Sequence, residues 1–278
     1  MRIGIVGLGL IGGSLGLDFR QLGHTVLGVA RRQVTCDAAV ARGAVDQAST
    51  SLDSLSSAEV VFVGTPIAAI ESTLVALVPH LQPEAIVTDV GSVKAAIAYT
   101  AAKHWPGFVG GHPMAGKTEV GIAAAEPQLF ANRAYVITPT AQTPPAAVEI
   151  VTGLAQSLKA EVFVCSPESH DRAVSWISHL PVMVSSSLIQ ACLHEADPQV
   201  RALAQHFASS GFRDTSRVGG GHSELGVMMA RYNRSEVLRS LQAYREEIDR
   251  LTQLIQAEQW DAIAAKLDEN HHARPKFL

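Results

Sequence analysis

Residues 110–121 read GGHPMAGKTEVG and set His112 directly before Pro113. A residue before proline is driven toward extended backbone, and four glycines with almost no apolar periodicity predict a loop here rather than a regular helix or a central strand. Imidazole, with an ordinary pKa near 6.5, takes up a proton at neutral pH, so His112 is a candidate base. A second group could also do chemistry. Gly7, Gly9 and Gly12 form G-x-G-x-x-G immediately after RIGIV and at the head of a helical pattern. A strand, a tight turn and a helix N-terminus together make a cradle for a pyrophosphate, so Gly7, Leu8, Gly9, Leu10, Ile11 and Gly12 are read as a dinucleotide site. A glycine-rich turn with no ligand is the alternative.

The type of dinucleotide depends on what lies at the end of the second strand. NAD-binding versions carry an acidic residue about twenty residues beyond the glycines, whereas this chain has GVARRQ, with Arg31 and Arg32. Two arginines at the start of a helix face its positive dipole end, which disfavours a solvated pair and favours a bound anion between them. The 2′-phosphate of NADP is such an anion. Two charge-assisted hydrogen bonds would favour NADP over NAD roughly a hundredfold. Thr65, in the GTP loop after the third strand of the pattern, lies where the cofactor passes or is an ordinary loop residue.

Further polar side chains sit near the same sheet edge. Ser92, in DVGSVK, reads first as the N-cap of a helix from Val93, and a capping hydroxyl there can also face a ligand. Ser175 and His179 are four residues apart on one helix face, with Pro181 interrupting the backbone ladder just beyond. His179 is either a satisfied core histidine or a ligand contact; His170 reads as a first-turn helix residue. Removing hydride from an alcohol carbon calls for a base to take the hydroxyl proton, and His112 beside a dinucleotide site suits that task.

These residues need a frame. Short β-rich runs at 2–6, 25–30, 60–64, 86–90, 108–111, 135–138 and 162–165 alternate with helical patterns, which predicts an α/β class with a mostly parallel, doubly wound sheet. After CSPESHD, Ser166, Pro167 and Glu168 form a helix start and strand signals cease. The division expected is a Rossmann-type dinucleotide-binding domain over 1–165 and an all-α domain over 166–278. Val237, Leu238, Leu241, Tyr244, Ile248, Leu251, Leu254 and Ile255 fall at three- and four-residue steps along one long helix, with Arg and Glu on its opposite side. Its apolar seam packs within its own domain or against a second copy, and a domain of about 110 residues covers such a seam poorly by itself, which favours a homodimer.

Composition narrows the class. The chain has 278 residues, 47% hydrophobic, with a net charge of −4 and mixed signs, so it can bury a sizeable core and offers no basic face for nucleic acid or an anionic membrane. Cys36, Cys165 and Cys192 are far apart and lack metal spacing, which suits a reducing, cytoplasmic setting. The apolar N-terminus is better explained by its glycines than as a signal peptide, and no uninterrupted apolar run in the sequence is long enough for a bilayer. A small molecule is the expected partner.

Taken together, GLGLIGGSLG, DVGSVK, GGHPMAG, SHDRAVSWISHLP and GFRDTSR resemble the prephenate/arogenate dehydrogenases of tyrosine biosynthesis over nearly the whole chain. The resemblance implies a nucleotide-binding domain, a helical dimerisation domain and an active site between them, with NADP-dependent oxidative decarboxylation of a cyclohexadienol and L-arogenate as the favoured substrate. It makes His112 the base and Ser92 the group that orients the ring hydroxyl and His112. His179, with Ser175 on its face, lines the substrate site, and Arg217 grips a substrate carboxylate in bidentate fashion. One departure stands out. Relatives commonly read H-P-x-A-G-T-E, whereas Lys117 and Thr118 follow Gly116 here and the acid, Glu119, comes one place later. A hydroxyisobutyrate-type dehydrogenase would instead use a lysine base in the helical domain, and the chain has no lysine between Lys159 and Lys266.

Overall fold

Valine- and isoleucine-rich runs build the scaffold of the computed structural model, which describes residues 1–117 and 119–277; Thr118 and Leu278 lie outside the described residues. The strands are β1 (Arg2–Val6), β2 (Thr25–Val29), β3 (Gln47–Ser49), β4 (Val60–Val63), β5 (Ile86–Asp89), β6 (Phe108–Pro113), β7 (Ala134–Thr138) and β8 (Glu161–Val164). They form one sheet in the order β3-β2-β1-β4-β5-β6-β7-β8. The first six are parallel, β7 runs antiparallel to β6, and β8 is parallel to β7. This is the α/β architecture the alternating pattern predicts, with β3 too short and too polar to stand out in the sequence.

Both faces of the sheet are covered. Successive side chains in a strand point to opposite faces, so Ile3, Ile5, Val60 and Phe62 pack with Leu15 and Phe19 of α1 (Leu10–Gln21). Val61, Val63 and Val87 pack on the other side with Leu74 of α3 (Ile67–Leu77) and Ile97 of α4 (Ala95–His104). Burial on both faces explains why these strands read as continuous apolar runs.

Strand β6 corrects the reading of residues 110–121. His112 is not in a loop: it belongs to a central strand, between β5 and β7, and pairs with Val136. The glycines before it permit close approach of neighbours rather than a turn, because a Cβ on Gly111 would lie 2.7 Å from the Asp89 carbonyl oxygen and one on Gly110 would overlap the Thr138 hydroxyl. Pro113, which has no N–H, closes the strand where the ladder ends.

After Val164 the described chain is helical. Residues Pro167–Leu193 run as one helix, made of α6 (Pro167–Val174), a π-helical turn at Ser175–His179 and α7 (Leu180–Leu193). The ring of Pro181 clashes with the carbonyl four residues earlier, and widening to a π-turn absorbs that clash without ending the helix. With mean hydropathy 1.3 over its most apolar window it is long and apolar enough to cross a bilayer by length and composition alone, although His179 and Pro181 interrupt the apolar run. Its first turns hold Glu168, His170, Asp171 and Arg172, and Asp171 docks on the sheet domain as described below. Then come α8 (Pro198–Phe207), α9 (Ser210–Ser216), α10 (Ser223–Tyr232), α11 (Arg234–Gln256) and α12 (Trp260–Ala273). Helices α8 and α12 bury no residue, and α11 buries only Val237 and Ser240, while Leu203, Phe207, Leu238, Ile248 and Trp260 are exposed.

The buried ion pair between Lys94 and Asp89 ties this frame together. Both side chains are fully buried, and Lys94 Nζ also donates to the Gly111 carbonyl at 2.6 Å. Burial lowers the Lys94 pKa, opposed by the Asp89 carboxylate. Removing one member of a buried pair strands the other charge, so Lys94→Met should cost about 3–5 kcal/mol of stability in urea denaturation. The double variant Lys94→Met/Asp89→Asn should recover part of that loss, because neither position of the pair then holds an unpaired charge.

Candidate active site

At one end of the site the first βα turn departs from ordinary backbone. Gly7 has φ of +99°, and a Cβ there would sit 2.6 Å from the Gly64 carbonyl carbon and 2.9 Å from the Thr65 nitrogen. This brings Thr65 beneath the turn. A Cβ on Gly12 would overlap the Gly7 carbonyl oxygen, whereas the Cβ position on Gly9 meets open space. The glycines thus divide the work: Gly7 and Gly12 allow close packing, and Gly9 leaves room for a ligand against the backbone. Helix α1 starts at Leu10 with no side-chain cap, so the first-turn amides of Leu10, Ile11 and Gly12 lack an intrahelical or capping acceptor. The donors and the space fit a dinucleotide pyrophosphate. Leu8 contributes backbone only, since its side chain is buried in the core cluster. Arg31 and Arg32 follow β2, both exposed, and Arg32 is the extended residue that opens α2 (Gln33–Ala41).

The other end lies where β5 and β6 finish. Asp89 organises the loop after β5: one carboxylate oxygen accepts from the Gly91 amide at 2.8 Å and the other from the Gly111 amide at 3.1 Å. Between these anchors Ser92 is held in place, and its role differs from the sequence reading. Helix α4 begins at Ala95 and Ser92 does not cap it. The cap comes from the helical region, where the Asp171 carboxylate accepts the Lys94 amide at 2.7 Å and the Ala95 amide at 2.9 Å. Ser92 Oγ is left buried without a hydrogen-bond partner, and so is His179 Nε2. Buried polar atoms are normally satisfied. Asp18 Oδ2, Tyr135 Oη and Thr138 Oγ1 are orphaned too, but Ser92 and His179 both lie on segments tied to Asp171, through Lys94 and through Asn233, which makes their surroundings a place suited to a polar ligand.

His112 is buried in the same region, close enough to His179 to feel its charge. Its Nδ1 lies 2.8 Å from His170 Nε2, and His170 Nδ1 lies 2.8 Å from Asp171 Oδ1. His170 is therefore more than the first-turn residue read from the sequence; the HD doublet was the available signal. Asn233 completes the cluster, donating to the Asp171 carbonyl at 2.7 Å and lying 3.1 Å from His179 Nδ1. Burial, then His170, Lys94 and His179, hold the His112 pKa well below its ordinary value, so the ring is neutral and able to accept a proton at pH 7. Burial lowers His179 to about 4, opposed by Asp171.

The structure separates the remaining candidates. Ser175 is buried and donates to the Arg172 carbonyl at 2.8 Å, with the Arg239 guanidinium 3.4 Å away. Arg239, absent from the sequence reading, also pairs with Glu236 and lies over the Trp176 ring. Arg217 is exposed at the end of α9 and stands outside the His112 cluster. Gly219 just beyond it packs so closely on Ser185 and Ser186 that a Cβ would overlap their backbone.

Comparisons with known proteins place the chain in a family. Residues 15–164 match the family model described as prephenate dehydrogenase, nucleotide-binding domain, and residues 166–269 match the model described as prephenate dehydrogenase, dimerization domain. The chain belongs to the prephenate dehydrogenase family. A prephenate dehydrogenase of Bacillus subtilis (strain 168) is 33% identical over 91% of this chain and 70% of its own length. The crystal structure of a Synechocystis arogenate dehydrogenase is 51% identical with a TM-score of 0.92 and full coverage of both chains. That of an A. aeolicus prephenate dehydrogenase, in complex with hydroxyphenyl propionate and NAD+, is 25% identical with a TM-score of 0.94, covering 100% of this chain and 98% of that one. The chain is thus an oxidoreductase of the prephenate/arogenate type with a pyridine-nucleotide-binding domain.

The lowered histidines make stability depend on pH. Between about pH 4 and 6.5 the unfolded chain binds the proton that folded His179 refuses, so stability falls as pH falls through that window. The share of His179 is about 3 kcal/mol at full effect. His112 acts in the same direction. His179→Asn should flatten the loss of Tm from pH 6.5 to 4 relative to the unaltered protein; an unchanged slope would mean that His179 titrates alike in both states.

Proposed function

We propose that this protein catalyses the NADP-dependent oxidative decarboxylation of L-arogenate to L-tyrosine and carbon dioxide. The observation that carries the reading is a neutral buried base, His112, at the carboxyl end of a central strand, on the same sheet edge as an uncapped glycine turn and beside the orphaned Ser92 hydroxyl and His179 Nε2. A bound nicotinamide supplies the acceptor for the carbinol hydride. His112 takes the proton of the ring hydroxyl as the carbonyl forms, and Ser92 orients that hydroxyl toward the imidazole. The carboxylate leaves as carbon dioxide, its bonding electrons flow into the ring, and the oxygen regains a proton as the ring becomes aromatic. Water is kept out by the packing around the buried His112.

Substrate and cofactor rest on separate supports. Arogenate is favoured by the 51% identity to the Synechocystis arogenate dehydrogenase, against 33% and 25% to the B. subtilis and A. aeolicus prephenate dehydrogenases. NADP is favoured by Arg31 and Arg32 beyond β2, where an acidic residue would suit NAD. His179 and Ser175 line the substrate side in this reading, and Arg217 holds a substrate carboxylate once the site is occupied. The division at 165/166 follows the change from sheet to helix. The apolar seam left by α8, α11 and α12, and the sparsely buried helix Pro167–Leu193, are covered by a second copy, so the working unit is a homodimer. The three free cysteines suit a cytoplasmic enzyme.

Crossing L-arogenate and prephenate with NADP and NAD in a steady-state assay tests the whole reading; turnover confined to arogenate with NADP is expected, and efficient prephenate turnover would overturn the substrate choice. His112→Ala should leave cofactor binding intact and lower kcat by about 10²–10⁴. Arg31→Asp with Arg32→Ser should erode or reverse the preference for NADP, and an unchanged ratio of kcat/KM values would place both guanidinium groups in solvent.

A further inference from the structure

His112 is not alone as a base. Its Nδ1 meets His170 Nε2 at 2.8 Å, and the far nitrogen of His170 meets the Asp171 carboxylate at the same distance. All three side chains are buried, and the two rings cross edge to face at 71°. The Asp171 carboxylate also receives the Lys94 and Ala95 amides, both of which are obligate donors.

We infer that His170 and Asp171 are positioning residues that fix the tautomer of His112 and share the charge of the proton it takes up. An ionised carboxylate only accepts hydrogen bonds, so His170 Nδ1 must carry the proton that faces it. A neutral His170 then presents a bare Nε2, and the 2.8 Å contact requires His112 Nδ1 to be the donor. This leaves the lone pair of His112 on Nε2, the nitrogen not engaged by His170. If His170 were instead protonated on both nitrogens, it would donate to His112 Nδ1 and leave a proton on Nε2, which would then be no base.

The same chain holds the proton after transfer. As the substrate O–H bond breaks, an N–H bond forms at His112 Nε2. The Nδ1 proton of His112 can move along its hydrogen bond to His170 Nε2, giving an imidazolium whose charge faces the Asp171 carboxylate. Protons and charge balance without any further reactant. The arrangement answers a difficulty in the site: burial, then His170, Lys94 and His179, all oppose charge on His112, and Asp171, in contact with His170, is the anion placed to offset that charge once the proton has moved on to His170. Asp89, the other nearby carboxylate, is occupied by Lys94.

The inference rests on the dehydrogenase reading, and its test separates the two. In protein labelled with ¹⁵N-histidine, the ring assigned by its loss in His112→Asn should show the Nδ1–H tautomer at neutral pH; an Nε2–H tautomer would overturn the relay whatever the activity. His170→Ala should lower kcat by about 10–100-fold, the range seen when a supporting hydrogen-bond partner is removed, with KM for NADP unchanged. Added imidazole should restore part of kcat. An unchanged kcat in His170→Ala, or a loss that imidazole does not relieve, would sink the relay. If His112→Ala itself turned over normally, the dehydrogenase reading would fall instead.

Discussion

The Asp171 carboxylate is the interaction on which the site depends. It belongs to the first helix after the sheet, yet it supplies the cap for α4, a helix of the sheet domain that has no side-chain cap of its own. A buried carboxylate is stable only when its oxygens are satisfied, and here two backbone amides and the His170 ring do so. The consequence is a fixed register between the two parts of the chain. His112 from one part and His170 from the other can then meet at hydrogen-bond distance, which no local element would impose.

A second buried network supports the first from beneath. Asp89 and Lys94 close the loop that carries Ser92, and Lys94 also ties down the Gly111 carbonyl next to His112. Three consecutive features of DVGSVK thereby serve different ends: an anion that shapes the loop, a hydroxyl left unsatisfied within it, and a cation that pins the neighbouring strand. Such pairs are weak sources of net stability but costly to break, which makes them well suited to holding a geometry.

The helical part follows a different logic. Its long helices bury few residues and leave Leu203, Phe207, Leu238, Ile248 and Trp260 exposed, an apolar face of the kind a second copy would cover. The family model matched there is a dimerization domain, consistent with that exposure. The π-turn at Ser175–His179 shows the local counterpart: a proline that would end most helices is accommodated by widening the turn, and the buried His179 lies within it.

Much of this was legible in the order of residues. The α/β class, the glycine turn, the place of His112 at a strand's carboxyl end and the change to helix near residue 166 follow from apolar periodicity and from glycine and proline chemistry, which act over a few residues. The sequence misled where partners lie far apart along the chain. It made residues 110–121 a loop because glycine and proline are poor strand formers, whereas those glycines allow β6 to approach Thr138 and Asp89. It made Ser92 a cap and His170 incidental, because nothing near them announces Asp171, which lies 77 residues beyond Lys94. Local chemistry thus determined which residues are able to react, and long-range packing decided which atoms meet, since burial and hydrogen-bond geometry exist only once distant segments are brought together.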